Sequence, residues 1–236
     1  MASLQTLTIN DTGFIKLPLG TIAQRPSPGT AMTRWNSDKG TYEAYDGSNW
    51  INADNRYETL NLVATGPGAA FIGGGTDCAT LYRTGSTSGW DAQVYSTNGW
   101  TAPVTLEFYK NAGAGGVNNG FAYAMISLNT DPTTDASYGS LDHAAFPYFT
   151  KSYSVFHNGT QMLYSGRWSA SQKFYIVYGT DGYIRHYNGS TQLYSVSVGT
   201  GNTYYLDSCM YFASYFSTFY DVRVIKKAWN GTKYVG

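Results

Sequence analysis

KFYIVYGTDGYIRHYNGSTQLYSVSV, from Lys173 to Val198, holds three runs of aromatic and β-branched residues separated by two glycine-containing dipeptides. Such runs suit a pleated, half-buried surface. Asp-Gly and Asn-Gly are the strongest short-range signals for two-residue hairpin turns. Taking Asp181-Gly182 and Asn188-Gly189 as two-residue loops fixes the register by counting outward. Thr180 then pairs with Tyr183, Tyr178 with Arg185, and Ile176 with Tyr187. Across the second turn, Tyr187 pairs with Ser190, Arg185 with Gln192, Ile184 with Leu193, and Tyr183 with Tyr194. Alternation of side chains sorts these residues by face. Val177, Ile184 and Leu193, with Tyr175, His186 and Thr191, form the expected core face. Ile176, Tyr178, Tyr183, Arg185, Tyr187, Gln192 and Tyr194 form an expected wet, aromatic face.

The same grammar extends along the chain. Val104 to Lys110 alternates Val104, Leu106 and Phe108 with Thr105, Glu107 and Tyr109. Phe121 to Leu128 is apolar at nearly every position, as expected of a strand covered on both faces. Tyr153–His157 and Gln161–Tyr164 flank Asn158-Gly159, another hairpin, and the segments around Asn158 and Asn188 echo one another. Asp221 to Lys226 reads as a late strand. Aromatic residues from Tyr211 to Tyr220 recur every four positions, a helical spacing, but the surrounding Ser, Thr and β-formers favour strand plus loop. Gly66 to Gly75 reads as a connector or tightly packed strand, since no helix pattern follows it.

Composition narrows the function. Fifteen Lys plus Arg balance fifteen Asp plus Glu, and 13% of the 236 residues are charged while 17% are aromatic. A neutral chain lacks the basic footprint of a nucleic-acid binder. Its aromatic content argues against global disorder. No apolar run approaches the ~20 residues of a membrane span, and Met1 to Leu4 opens no secretory signal. The Asn-x-Ser/Thr sequences at Asn10, Asn158, Asn188 and Asn230 therefore read as turns. Cys78 and Cys209 are the two cysteines; they have no metal-ligand spacing and read as buried thiols.

Residues 17–50 have a different texture. Pro18, Pro26 and Pro28 punctuate an extended start. Thr30–Asn36 and Thr41–Asp46 then flank a four-residue loop ending in Gly40. With Asn36 opposite Thr41, Trp35 faces Tyr42 on one side and Arg34 faces Glu43 on the other. Asn49-Trp50-Ile51 supplies a third strand. A hairpin of this size cannot bury enough apolar surface to stand alone.

The run Leu17-Pro18-Leu19-Gly20-Thr21, Gln24-Arg25-Pro26, Arg34-Trp35-Asn36 and Tyr42 through Trp50 resembles a segment widespread in bacteriophage tail fibres and related virion proteins. Phe174 to Ile225 resembles concanavalin-like jelly-roll modules. The resemblance implies an all-β, antiparallel jelly-roll β-sandwich over residues 56–236, with an N-terminal attachment or trimerisation segment over residues 1–55 carried by Trp35, Tyr42, Tyr45 and Trp50. It implies a virion-borne homotrimer, made in the host cytoplasm, joined to other virion proteins through its N-terminal segment.

Catalytic chemistry is poorly supplied. Glu43, Glu58 and Glu107 are isolated in sequence, and the Glu-x-Asp-x-Glu strand motif of jelly-roll glycanases is absent. Asp131 with Asp135, or Asp207 with Asp221, are the carboxylate pairs that folding might join for glycoside hydrolysis, and Asp131 to Asp135 is the one oxygen-rich run that calcium might use. His143, His157 and His186 are not spaced as metal ligands. No Gly-x-Ser-x-Gly elbow occurs. No enzyme, cofactor or metal is therefore expected. Binding needs less: rings for the apolar faces of sugars and short polar groups for hydroxyls. The expected glycan-binding set is Tyr178, Tyr183, Arg185, Tyr187, Gln192 and Tyr194, with Trp168 from the preceding loop. A capsid decoration protein without a specific ligand is the alternative.

Overall fold

The computed structural model describes residues 19–25, 32–37, 41–45, 50–52, 57–75, 78–85, 88–110, 123–133, 135–148, 152–168, 172–212 and 218–235. The chain divides into two compact units, residues 1–56 and 57–236.

In the first unit, β1 (Leu19–Gly20), β2 (Thr33–Asn36), β3 (Thr41–Tyr45) and β4 (Trp50–Asn52) form one sheet in that order. The expected pairing holds: Asn36 lies opposite Thr41, Trp35 opposite Tyr42, Arg34 opposite Glu43, and Tyr45 opposite Trp50. Trp35 meets Tyr42 edge-on at 4.9 Å. The opposite side buries an ion cluster. Glu43 accepts hydrogen bonds from Arg25 (3.1 and 2.7 Å) and Asn36 (2.8 Å), with Arg34 Nε 3.4 Å away. Burial alone raises a carboxylate's pKa, but these donors and charges outweigh it and hold Glu43 below its ordinary value. The Arg34 guanidinium also donates to the carbonyls of Gln24 and Thr21, both at 3.1 Å.

The second unit runs β5 (Leu62–Thr65), β6 (Ala69–Gly73), β7 (Ala79–Arg83), β8 (Ser88–Ser96), β9 (Val104–Lys110), β10 (Ala124–Asn129), β11 (His143–Pro147), β12 (Ser152–His157), β13 (Thr160–Arg167), β14 (Lys173–Tyr178), β15 (Tyr183–Asn188), β16 (Thr191–Ser197), β17 (Tyr205–Phe212), β18 (Phe219–Ile225), β19 (Ala228–Trp229) and β20 (Tyr234–Val235). Two seven-stranded antiparallel sheets result. The front sheet has the order β13-β12-β11-β10-β17-β8-β5 and the back sheet β16-β15-β14-β9-β18-β7-β6. The unit is an all-β, antiparallel jelly-roll sandwich, as expected. Its core comes from the inward positions of both sheets, including Val94, Ile126, Val155 and Leu206 from the front and Leu106, Phe108, Phe174, Ile176 and Val224 from the back.

Asn158 and Gly159 both have positive φ (46° and 70°), and His157 pairs with Thr160, so this Asn-Gly hairpin has the two-residue type I′ turn its sequence asks for. The strand-plus-loop reading near Tyr211 is supported on both flanks by β17 and β18; residues 213–217 between them lie outside the described residues. Residues 121–122 likewise lie outside them, before β10.

The decisive stretch forms its three strands, but in a different register. Tyr178 lies opposite Ile184, Ile176 opposite His186, and Tyr175 opposite Tyr187. The first loop has three residues, not two. Gly182 N–H donates to Gly179 O at 3.0 Å, and Gly182 takes the left-handed conformation at φ 76°. This is a three-residue hairpin closed by a glycine bulge. One added residue moves every side chain of β14 to the other face. Ile176 and Tyr178 therefore enter the core, while Tyr175 and Val177 turn outward. The second turn is also displaced. Asn188 pairs with Thr191, leaving Gly189-Ser190 as the loop, and a register shift between His186 and Tyr187 brings Tyr194 opposite His186.

Candidate functional site

The expected wet face is not the surface the fold presents. Tyr178 is sealed in the core, where its hydroxyl donates to Gly199 O at 3.0 Å and accepts from Asn202 N–H at 3.2 Å. Trp168 is buried too: its ring meets Phe174, and its Nε1–H reaches Tyr148 O and Ser152 O at 3.1 and 3.0 Å. Tyr194 packs against the core because of the shift in β16. Tyr187 faces outward but lies under the C-terminal hairpin with Tyr175 and Val177; Trp229 stacks on Tyr175 at 4.6 Å. Gln192 is exposed and accepts from the Tyr187 hydroxyl at 3.0 Å. Tyr183, 40% exposed, has the Arg185 guanidinium 5.2 Å from its ring, and that guanidinium is paired with Asp181. Of the seven expected residues, Tyr183, Arg185 and Gln192 remain accessible.

The outer face of the front sheet holds a different cluster of rings. An open hollow of about 490 Å³ is lined by Trp90, Tyr123, Met125, Tyr138, Phe146, Phe156 and Tyr211. Five neighbouring strands, β12, β11, β10, β17 and β8, each place one side chain there: Phe156, Phe146, Met125, Tyr211 and Trp90. Met125, Leu141, Ala144 and Cys209 form a small buried cluster on the same face, with Trp90, Phe146 and Phe156 packed against it.

Trp90 reaches this face through a bulge. Ala92 and Val94 point into the core, so strict alternation would send Trp90 inward as well. Met210 pairs with Ala92 but Phe212 with Ser88, so residues 89–91 lie opposite Tyr211 alone. A bulge of this kind re-aims a side chain. Trp90 then meets Tyr138 at 5.1 Å, Tyr211 at 5.5 Å, Phe146 at 6.1 Å and Tyr123 at 6.3 Å.

Tyr138 forms a wall from a single turn, Tyr138–Ser140, whose start is capped by the Ser137 hydroxyl. That loop is tied to the sheet beneath it. Gln93 Nε2 donates to Pro132 O (2.6 Å), Asp135 O (3.1 Å) and Asp207 Oδ1 (2.8 Å). Asp207 also accepts from Asn129 Nδ2 and Ser208 N–H, both at 2.7 Å, and the Cys209 thiol donates to Ala136 O at 2.6 Å. Burial lifts Asp207 to about 7 despite its three donors. Burial, with the nearby charges of Asp207 and Asp91, pushes the Cys209 thiol up.

Of the carboxylate pairs raised from the sequence, one is split between the two sheets and the other includes a turn-forming aspartate. Asp207 is on β17 of the front sheet, and Asp221 is on β18 of the back sheet, paired with Arg223 at 2.6 Å. Asp135 Oδ1 accepts from Ser137 N–H and Ser140 Oγ, each at 2.7 Å, which makes it a turn-forming group. Among the described residues, no carboxylate lines the hollow. The three histidines do converge, which their spacing did not reveal. His143 stacks on His157 at 4.8 Å, His143 Nε2 lies 3.3 Å from the Tyr204 hydroxyl, and His186 Nδ1 lies 3.4 Å from the Tyr153 hydroxyl. Burial holds both His143 and His186 down at about 3, with a smaller contribution from neighbouring histidines. Among the described residues, no group of three or more His, Cys, Asp or Glu side chains is placed to hold a metal ion.

No family model and no curated protein matches the chain. Among solved structures, the VIP36 exoplasmic/lumenal domain in its Ca2+/Man2-bound form aligns with TM-score 0.48 at 9% identity, covering 70% of this chain and 80% of that chain. The SPRY domain of human HERC1 aligns with TM-score 0.45 at 14% identity, covering 67% and 92%. The carbohydrate binding module CBM66 from Bacillus subtilis aligns with TM-score 0.39 at 12% identity, covering 71% and 92%.

Proposed function

We propose that this chain is a phage virion fibre or adhesin subunit that holds host surface glycans in the front-sheet hollow, by binding and not by bond cleavage. The observation that carries the reading is the hollow itself: six aromatic rings and one methionine around about 490 Å³, with no carboxylate among them. That volume lies within the usual range of small-ligand sites. Ring faces stack on the apolar faces of sugars, and phenol hydroxyls at the rim supply hydrogen bonds. The virion assignment is supported by the resemblance of residues 17–50 to fibre segments. Three copies on one fibre would convert weak individual sites into useful avidity.

The test is a glycan array and a host-polysaccharide titration with the full chain and with Trp90→Ala and Tyr138→Ala. Binding that both substitutions weaken about tenfold supports the reading; binding unchanged by both, or none to any host glycan, overturns it. Immunogold labelling of the intact particle tests the virion role. A position on the capsid shell would replace receptor binding with decoration.

A further inference from the structure

We infer that the hollow takes a methyl group carried by an uncharged sugar, either the acetyl of an acetylated sugar or the C6 methyl of a 6-deoxy sugar. This deepens the glycan reading above and rests on it. The floor decides the chemistry. Met125, Phe146 and Phe156 offer carbon and sulfur where the hollow meets the sheet, above buried Ala144. A bare hexose turns hydroxyls outward all around its edge. Pressing one onto that floor strips its water and returns no strong hydrogen bond, which is costly. A methyl group in the same place gains by leaving water.

The walls decide the charge. Among the described residues, the lining contains no Asp, Glu, Lys, Arg or His. The guanidinium near the Trp90 end belongs to Arg83, which donates to Gly89 O, Met210 O and Tyr211 O and pairs with Asp91 at 2.8 Å. A sialic or uronic acid entering the hollow would meet no free counter-charge among the described lining residues while losing its hydration. Size fits a substituent with part of its ring: the hollow holds about 490 Å³, and Tyr138, in ring contact with Trp90 at 5.1 Å and Phe156 at 6.4 Å by centroids, makes a continuous wall. The occupant is thus neutral, with its methyl end down and its polar end in the solvent.

The experiment uses the full chain and three matched sugar pairs: N-acetylglucosamine with glucose, L-rhamnose with L-mannose, and L-fucose with L-galactose. Saturation-transfer NMR and competitive titration read each pair. Within at least one pair, the methyl-bearing member binds about tenfold more tightly, and its methyl protons receive the strongest saturation. The acetyl and 6-deoxy pairs separate the two sources. Phe156→Ala and the surface variant Tyr138→Ala each erase the preference. Equal affinity within every pair, or a preference that survives both substitutions, overturns the inference while leaving glycan binding intact. Binding on the array with none among these sugars overturns the inference alone. Binding to neither overturns both readings.

Discussion

His157 Nδ1 lies 3.2 Å from His143 Nδ1 and 3.1 Å from the carbonyl oxygen of Asp142. A carbonyl can only accept, so His157 Nδ1 carries the proton and His143 Nδ1 receives it. His143 then donates from Nε2 to the Tyr204 hydroxyl. The His143 ring is neutral in the fold, and a proton added to its Nδ1 would face the His157 Nδ1–H.

Acid sensitivity follows. His143 and His186 sit at about 3 in the fold, against an ordinary value of 6.5. The unfolded chain takes up two protons below pH 6.5 that the folded chain refuses, so the histidines' contribution to stability is full above 6.5 and falls as pH drops toward 3. Each histidine contributes a slope of about 1.4 kcal/mol per pH unit. Asp207 opposes them: raised from 3.8 to about 7, it favours the fold as pH falls between those values. Two against one leaves a net loss of about 1.4 kcal/mol per unit from pH 6 to pH 4. Urea midpoints followed by tryptophan fluorescence at pH 7, 5.5 and 4.5 should fall in that order. A flat or rising series would refute the assignment.

Lys110 should be a stability defect. Its side-chain nitrogen is fully buried with no hydrogen-bond partner among the described residues, 4.4 Å from the centre of the Phe219 ring. Burial drives its pKa well below 10.5. The unfolded chain therefore holds a proton that the fold must shed, and wild-type stability rises with pH toward 10.5. Lys110→Met keeps the volume and removes the penalty, for a gain of about 1–3 kcal/mol at pH 7. Calorimetry at pH 7 and pH 10 should show the advantage shrinking at the higher pH.

Glycine substitution separates strain from collision in the decisive hairpins. Gly182 and Gly189 both have positive φ, 76° and 60°. A Cβ on Gly182 would meet the Gly199 carbonyl carbon at 2.9 Å, whereas one on Gly189 meets nothing within 4 Å. Both Ala variants lose about 1–2 kcal/mol to the left-handed backbone. Gly182→Ala loses more, because backbone must also move. Melting temperatures ranked Gly189→Ala below Gly182→Ala would contradict this packing.

Glu43→Ala should loosen the N-terminal unit from within. It leaves Arg34 buried beside an empty carboxylate site, a loss of about 3–5 kcal/mol for a broken buried pair. Hydrogen exchange should accelerate in β2 and β3 but not in β9 or β14. Unchanged protection at Trp35 and Tyr42 would show that the ion cluster is dispensable.

The sequence was most legible where turn chemistry and burial agreed. Arg34 opposite Glu43, the Asn158-Gly159 hairpin and the inward series Val104, Leu106 and Phe108 were all readable from local pattern. The decisive hairpin was misread by one residue, because Gly182 serves as a bulge after Thr180 and Asp181 and not as the second half of a two-residue turn. Asp-Gly is compatible with both, and the choice depends on packing against Gly199. That slip carried Tyr178 into the core and overturned the expected site. The hollow was announced faintly: Tyr123 and Met125 alternate with the core residues Ala124 and Ile126, so the chain entering β10 is apolar on both sides. What could not be read was Trp90, whose outward aim comes from a bulge against β17, and the histidine cluster, whose members are joined by folding alone.

Each strand that lines the hollow carries the interior packing on one side and a single outward-facing ring or thioether on the other. On the glycan reading, replacing Phe146 or Tyr211 would change what the surface selects without reopening the seam between the sheets. Under that reading, the module would drift from one target to another by single substitutions, with the scaffold left as it was.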